Sequence, residues 1–413
     1  MSVAIPPKGQ GPLAKREARL AWSLLLPTIT IVSLVVILPL LSIFWISFKP
    51  IGLADLRPPA PVLRESLRGS GDQMRIEYRL RNSSQDVEIT DVTIRDAWPE
   101  GLIVTGDLPA GCVLDGREFT CDLGTLEPGY NERLSVPVML ADGVGQDAAE
   151  DAAEGTEPEV RGEADSILTN SEFTLENFAR VFDGDEFWTV MWVTLFYTVV
   201  GTIGALLFGL FAALLLNKSF RGQGILRGLY LFPYVAPVIA VAFTWVNLFD
   251  PFSGSANALL LQMGVTNEAI NFFGQRPLAL IMVTVFEIWR YFPLSFLFIL
   301  ARMQSIDTDM YEAADMDGAS PFQKFWYLSL PMLLGILSVL FLLRFIWTFN
   351  KFDDIFLLTG GNAGTRTLTV NVYEQAFAIS NIGAGAAVAV VIFGCLLAFS
   401  FFFFRFISRE EGL

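Results

Sequence analysis

Between Arg19 and Lys49 the chain carries no charged residue. A helix needs about 20 apolar residues to cross roughly 30 Å of hydrocarbon, so this run is long enough to span a bilayer. Further apolar runs follow near 187–216, 226–249, 278–300, 332–349 and 382–406. Together they predict an all-α polytopic membrane protein with six transmembrane helices. A cleaved signal peptide would have an apolar region of only about 7–15 residues followed by small residues. The first run is longer and ends in Phe44, Trp45, Ile46, Ser47 and Phe48, so a retained helix is expected.

Basic residues flank the runs in alternation. Lys15, Arg16 and Arg19 precede the first; Lys218, Arg221 and Arg227 lie between the second and third; Arg302 and Lys324 lie between the fourth and fifth; Arg405 and Arg409 follow the sixth. Positive charge stays on the cytoplasmic side, which puts both termini in the cytoplasm of a bacterial inner membrane. Residues 51–185 then face outward.

That outward segment holds the chain's acidity. It carries 28 acidic and 11 basic residues, a net charge of −17, against −15 for the whole protein and so +2 for the rest. Alternating stretches at 74–80, 87–94 and 134–140 predict strands. We expect an external β-sandwich at 51–146, then an acidic, mobile linker at 147–185 rich in Ala, Glu and Gly. Residues 1–50 form the tail and first helix, and 186–413 a five-helix core. With no basic stripe visible along the sequence, nucleic acid is not an expected partner. The chain has no His and only 3 Cys, which excludes His-based triads and zinc hydrolysis.

Cys112 and Cys121 flank a short segment around Gly116. With Gly116–Arg117 as a two-residue turn, Gly takes the first central position that a type II′ turn favours, and the cysteines face each other across a hairpin. With Asp115–Gly116 as the turn they miss by a step. The pair is either a disulfide, allowed in an oxidising compartment, or two buried thiols. Cys395 lies in the last span as packing.

The segment after the fourth run reads Tyr311-Glu312-Ala313-Ala314-Asp315-Met316-Asp317-Gly318-Ala319, then Phe325-Trp326-Tyr327-Leu328-Ser329-Leu330-Pro331. Glu312, Ala313 and Ala314 favour a helix with a small, approachable surface. Gly318 suits the left-handed turn that stops it, and Pro321 suits the first turn of a second helix. Within the spans, Glu287 and Arg290 are placed to pair along one helix face. Arg344, Trp347, Thr348 and Lys351 make a polar-aromatic stripe at i, i+3, i+4, i+7. Charges inside spans cost about 2.5–3.5 kcal/mol each and face a cavity or a partner. An aromatic beside hydrogen-bonding groups suits a sugar.

The order Glu312-Ala-Ala, Gly318 and Leu328-x-Leu330-Pro331 resembles the EAA loop of binding-protein-dependent ABC importer permeases. Phe232-Pro233-Tyr234-x-x-Pro237, Met303-Gln304-Ser305-Ile306 and Phe352-Asp353-Asp354-Ile355-Phe356-Leu357-Leu358-Thr359-Gly360-Gly361 add to the match. The set is similar to the carbohydrate branch, with the maltose transporter's larger membrane subunit as its type. The resemblance implies the type I ABC importer permease fold, with a coupling loop at 303–330 docking in a cytoplasmic ATPase through Glu312, Ala313, Ala314 and Gly318. It implies a sugar substrate and a transport site at Tyr234, Arg290, Tyr291, Leu294, Arg344, Trp347, Thr348 and Lys351. It also implies partners: a second permease subunit, two ATPase copies, an external solute-binding protein and membrane lipid. The chain has no Gly-x-x-x-x-Gly-Lys-Ser/Thr pattern, so it is not expected to be an enzyme or to hold a cofactor; ATP and Mg belong to the ATPase subunit.

Relatives use amides or hydroxyls where this chain has Arg344 and Lys351. That leaves open an anionic or phosphorylated substrate, such as glycerol phosphate, or a polyol, against a structural cluster neutralised by Glu287. The stretch Asn362-Ala363-Gly364 also departs from the family pattern. Segments near 70–140 resemble a β-sandwich repeat of bacterial surface proteins, which implies an immunoglobulin-like domain. It could serve as a docking surface or a spacer. A membrane-anchored adhesion protein is the rival reading, but six spans exceed what an anchor needs. A secondary transporter would show an inverted repeat, and none is evident.

Overall fold

The computed structural model describes residues 12–85, 87–183 and 186–406; Arg409, read above as a topology flank, lies outside them. The chain divides into two units, Met1–Phe48 with Leu175–Leu413, and Lys49–Thr174.

The first unit is helical. Its elements are α1 (Ala14–Ser47), α2 (Glu176–Asp183), α3 (Glu186–Leu216), α4 (Gln223–Val235), α5 (Val238–Leu248), α6 (Leu278–Gln304) and α7 (Thr308–Met316). Then come α8 (Pro321–Phe349), α9 (Asp353–Thr359) and α10 (Ile382–Arg405). Among the described residues, α1, α3, α6, α8 and α10 are long and apolar enough to cross a membrane. The third apolar run is a bent pair and not one continuous helix: α4 and α5 meet at 90°, and together they make a sixth candidate span. Ala236 precedes Pro237 and is extended, at φ −62° and ψ 143°, as the residue before proline prefers.

Helix α3 packs along α6 through small residues. Ala205 and Ala213 are fully buried, and a Cβ on Gly209 would lie 2.6 Å from Ser295 Cβ and 2.8 Å from the Phe296 nitrogen. Close backbone approach of this kind is how helices associate where no water drives them together. Helix α8 meets α10 through aromatic stacking, with Phe345 and Phe399 centroids 3.7 Å apart.

The second unit contains β1 (Pro61–Arg68), β2 (Arg75–Asn82), β3 (Ile89–Ala97), β4 (Leu102–Val104), β5 (Cys112–Asp115), β6 (Glu118–Leu126), β7 (Asn131–Leu140) and β8 (Glu159–Glu163). They form two four-stranded sheets, ordered β1-β2-β7-β4 and β5-β6-β3-β8. Strict alternation puts Ile76, Tyr78 and Leu80 of one sheet and Val92, Ile94 and Phe119 of the other into a shared core. Tyr78 stacks on Phe119 at 5.1 Å.

The predicted mobile linker at 147–185 is corrected here. Its first part is a helix, Gln146–Glu154, that buries Ala149 and Ala153. Its next part is β8, paired with β3, and its last part includes α2. Two alanines four apart make a narrow apolar stripe on a helix that is otherwise acidic, so composition alone reads as solvated chain. The unit accordingly runs to Thr174 rather than to 146.

Cys112 lies directly opposite Cys121, as Asp115 does Glu118, so Gly116 and Arg117 are the turn. Gly116 has φ 64°, and the sulfurs are bonded at 2.01 Å. Deeper in, Tyr78 donates to Asp96 Oδ2 at 2.6 Å, and Thr156 donates to Glu65 Oε2 at 2.7 Å. Burial, aided by the nearby Asp96 charge and opposed by the Thr156 hydrogen bond, pushes the Glu65 carboxyl up to about 7.

Candidate functional site

Helix α6 carries Glu287, Tyr291 and Leu294 along one face, and α8 with its C-terminal continuation carries Arg344, Trp347, Thr348 and Lys351 at matching spacing. Tyr234 joins them from the last turn of α4. These eight residues line one cavity of about 260 Å³. The expected transport positions converge there, with the exception of Arg290.

Glu287 is the electrostatic centre and was missing from the expected set. Its Oε1 accepts from Arg344 Nη2 at 2.5 Å and from Thr348 Oγ1 at 2.9 Å. Its Oε2 accepts from Tyr197 of α3 at 3.0 Å. Gly201 of α3 makes room: a Cβ there would sit 3.0 Å from Glu287 Cγ. Of the two pairings the sequence leaves open, with Arg290 on the same helix or with the Arg344–Lys351 stripe, Glu287 makes the one with Arg344 of α8. A carboxylate so placed converts an isolated guanidinium in the bundle into a neutral pair, the condition under which burial of a charge is tolerable.

Arg290 faces elsewhere. Its Nη1 and Nη2 donate to the carbonyls of Pro233 at 3.1 Å and Ala236 at 3.0 Å. In a continuous helix the Pro233 carbonyl would accept from residue 237, but that residue is proline and has no N–H. Arg290 therefore supplies the missing donor and fastens the bend between α4 and α5.

The cavity's remaining wall is aromatic and cationic. Lys351 Nζ lies 4.3 Å from the Tyr291 ring centre and the Arg344 guanidinium 4.7 Å from it, within cation–π range. Tyr234 stands edge-on to Tyr291 at 6.1 Å. Lys351 is held from behind by Asp353 at 3.5 Å and Asp354 at 3.8 Å. Trp347 remains half exposed (52%) and offers its ring to whatever enters. Such a chamber can stack a ring face and hydrogen-bond hydroxyls; its lining includes no thiol or serine nucleophile.

Away from the cavity, the segment 307–331 forms a helical hairpin. Asp307 caps α7 by accepting from Asp309 N at 3.0 Å. Gly318 ends the hairpin's first arm at φ 77°, where an added Cβ would meet nothing; the position needs glycine for its backbone angle, not for space. Ser320 and Gln323 make a reciprocal capping box ahead of Pro321, and Lys324 pairs with Asp315 at 2.5 Å. Glu312 and Ala313 are exposed and Ala314 half-buried. On the same hairpin Met316, Phe322 and Tyr327 are 89%, 71% and 77% exposed, which gives it an apolar rim.

Residues 205–410 match the family model described as a binding-protein-dependent transport system inner membrane component. The chain is 36% identical over 231 residues to the inner membrane ABC transporter permease protein YcjO of Escherichia coli (strain K12), covering 76% of that protein and 54% of this one. The chain belongs to this family. Permeases of the family are membrane subunits of transport systems and not enzymes. A second permease, the trehalose/maltose transport system permease protein MalF of Thermococcus litoralis, is 33% identical over 232 residues, or 78% of that protein and 56% of this one. A solved bacterial ABC transporter involved in import of the acidic polysaccharide alginate has a chain that superposes with TM-score 0.55 at 19% identity, over 86% of that chain and 59% of this one. At that identity the likeness is one of fold: the helical unit has the ABC importer permease architecture.

Proposed function

We propose that this permease moves a sugar through the cavity between α4, α6 and α8, driven by a separate ATPase. The observation that carries the reading is the meeting of Tyr234, Tyr291 and Trp347 with Thr348 and Glu287 in a single chamber. Aromatic faces take the C–H side of a sugar ring and the polar groups take its hydroxyls. Glu287 occupies Arg344, and Asp353 and Asp354 hold Lys351. With its cations already matched, the chamber suits an uncharged saccharide better than a phosphorylated one. The trehalose/maltose permease among its relatives supports the same class.

In this reading the hairpin around Gly318 is the part that meets the ATPase, with Glu312, Ala313 and Ala314 as contact positions and the apolar rim as the seal. The complete importer holds a second permease, two ATPase copies carrying ATP and Mg, and an external solute-binding protein. Both termini face the cytoplasm. The β-rich unit is an immunoglobulin-like sandwich on the outer side, where oxidising conditions keep Cys112 and Cys121 joined.

The test is ATP-dependent uptake of labelled maltose or trehalose by the reconstituted importer. Trp347→Ala is expected to cut uptake at least about tenfold, the loss of one well-placed stacking contact, while the complex still assembles. Uptake unchanged in Trp347→Ala and in Thr348→Val would move the passage elsewhere.

A further inference from the structure

The β-rich unit is acidic as a whole, yet one face of one sheet is basic. In β2 the even positions Ile76, Tyr78 and Leu80 are buried, so Arg75, Arg79 and Arg81 point outward and are exposed. The register sets Arg64 of β1 directly opposite Arg79, and Arg79 directly opposite Arg133 of β7. Arg68 faces Arg75 two rows along, beyond the row of Ser66, Glu77 and Ser135. No basic stripe is visible along the sequence because three strands from separate segments assemble it.

The face holds one carboxylate, Glu77, which pairs with Arg75 at 2.7 Å and with Arg133 at 3.8 Å. Arg79 Nε donates to Asn131 Oδ1 at 3.2 Å. Among the described residues, Arg64 and Arg81 have no carboxylate within ion-pair range. Together with Val62, the side chains of Arg64, Arg79 and Arg81 line a basin of about 240 Å³. Like charges set directly across a sheet destabilise it, so a row of three arginines is a local cost that an anion would remove.

We propose that this face is a binding site for an anionic oligosaccharide. One carboxylate or sulfate group sits in the basin between Arg64, Arg79 and Arg81, and the next lies along the row toward Arg133. Guanidinium groups bind such oxyanions through paired N–H donors. Along that row Arg64, Arg79 and Arg133 stand on adjacent strands, about 5 Å apart, the scale of a sugar residue, and Ser66, Asn131 and Ser135 alternate with the arginines to meet hydroxyls. The basin is concave, which suits a projecting group and not a flat lipid surface. The site lies outside the transport cavity and stands whether or not that cavity carries sugar.

The test uses the full chain in detergent micelles, with tetragalacturonate as probe and cellotetraose as its uncharged counterpart, followed by calorimetry at two salt concentrations. We expect saturable binding of tetragalacturonate alone, weakened by salt, and reduced at least about tenfold in Arg64→Gln/Arg79→Gln/Arg81→Gln. Arg117→Gln, which removes an exposed arginine paired with Glu100 elsewhere on the unit, should leave it intact. The three substituted side chains lie outside the core, and an unchanged melting temperature of the triple variant verifies its fold. Absence of binding, equal binding by the triple variant, or triple-variant loss seen only with anionic phosphatidylglycerol vesicles would each overturn the proposal.

Discussion

Arg344 of α8 donates to Glu287 of α6 across 2.5 Å, with 3% and 1% of their side chains exposed. This pair locks two of the cavity's walls together and leaves Trp347 and Tyr234 as its open aromatic edges. Removing one partner strands the other charge in the bundle. Glu287→Gln or Arg344→Met alone should destabilise the purified protein by about 3 kcal/mol, whereas the double substitution should recover much of the loss. Thermal unfolding of the four proteins in detergent measures this; a double variant as unstable as the sum of the singles would deny the coupling.

The contact of α3 with α6 depends on Gly209. A side chain there meets backbone atoms of Ser295 and Phe296 at 2.8–3.0 Å, which cannot swing aside. Gly209→Val should cost about 1–3 kcal/mol and lower the melting temperature, while Gly228→Ala on α4, where a Cβ meets nothing, should not lower it by a comparable amount. Equal melting of the two variants would show that the helices do not approach so closely.

Glu65 gives the β-rich unit a pH dependence of opposite sign to the usual carboxylate. Burial holds its pKa at about 7 in the folded protein, against an ordinary value of 4.5. Between these values the folded state binds more protons, so stability falls as pH rises from 4.5 to 7 and is level outside that window. The full shift would be worth roughly 3 kcal/mol; solvent screening of this half-buried group reduces it to about 1 kcal/mol. Hydrogen exchange of peptides covering β1 and β2, corrected for intrinsic rates, should show stronger protection at pH 5.5 than at pH 8. Glu65→Gln should remove most of the difference, and protection that rises with pH in the wild type would contradict the assignment.

The sequence carries the spans, the hairpin and the cavity's members because each is a local signal: an uncharged run, a glycine between two helix formers, a stripe at helical spacing. It does not carry relations between distant segments. At the 90° bend of α4 and α5, Arg290 reaches the Pro233 carbonyl, which Pro237 leaves without a donor, and the carbonyl of the extended Ala236, and no spacing within α6 points to that. Glu287 reads both as the neighbour of Arg290 on one helix and as the neutraliser of Arg344 and Lys351 on another, and only the packing of α6 on α8 decides for Arg344. The acidic stretch after 146 looks like solvated linker because only Ala149 and Ala153 mark its buried side. The arginine face is legible only once the register of β1, β2 and β7 is known.

In the proposed mechanism the hairpin at Gly318 passes the work of an ATPase to the cavity at Glu287 and Trp347. ATP-dependent sugar uptake by proteoliposomes holding the complete importer, with wild-type chain or Glu312→Lys, tests it most directly. Glu312 is exposed, so the substitution should leave insertion and melting unchanged, and uptake should fall to the level seen without ATP. Wild-type uptake in Glu312→Lys would contradict the account.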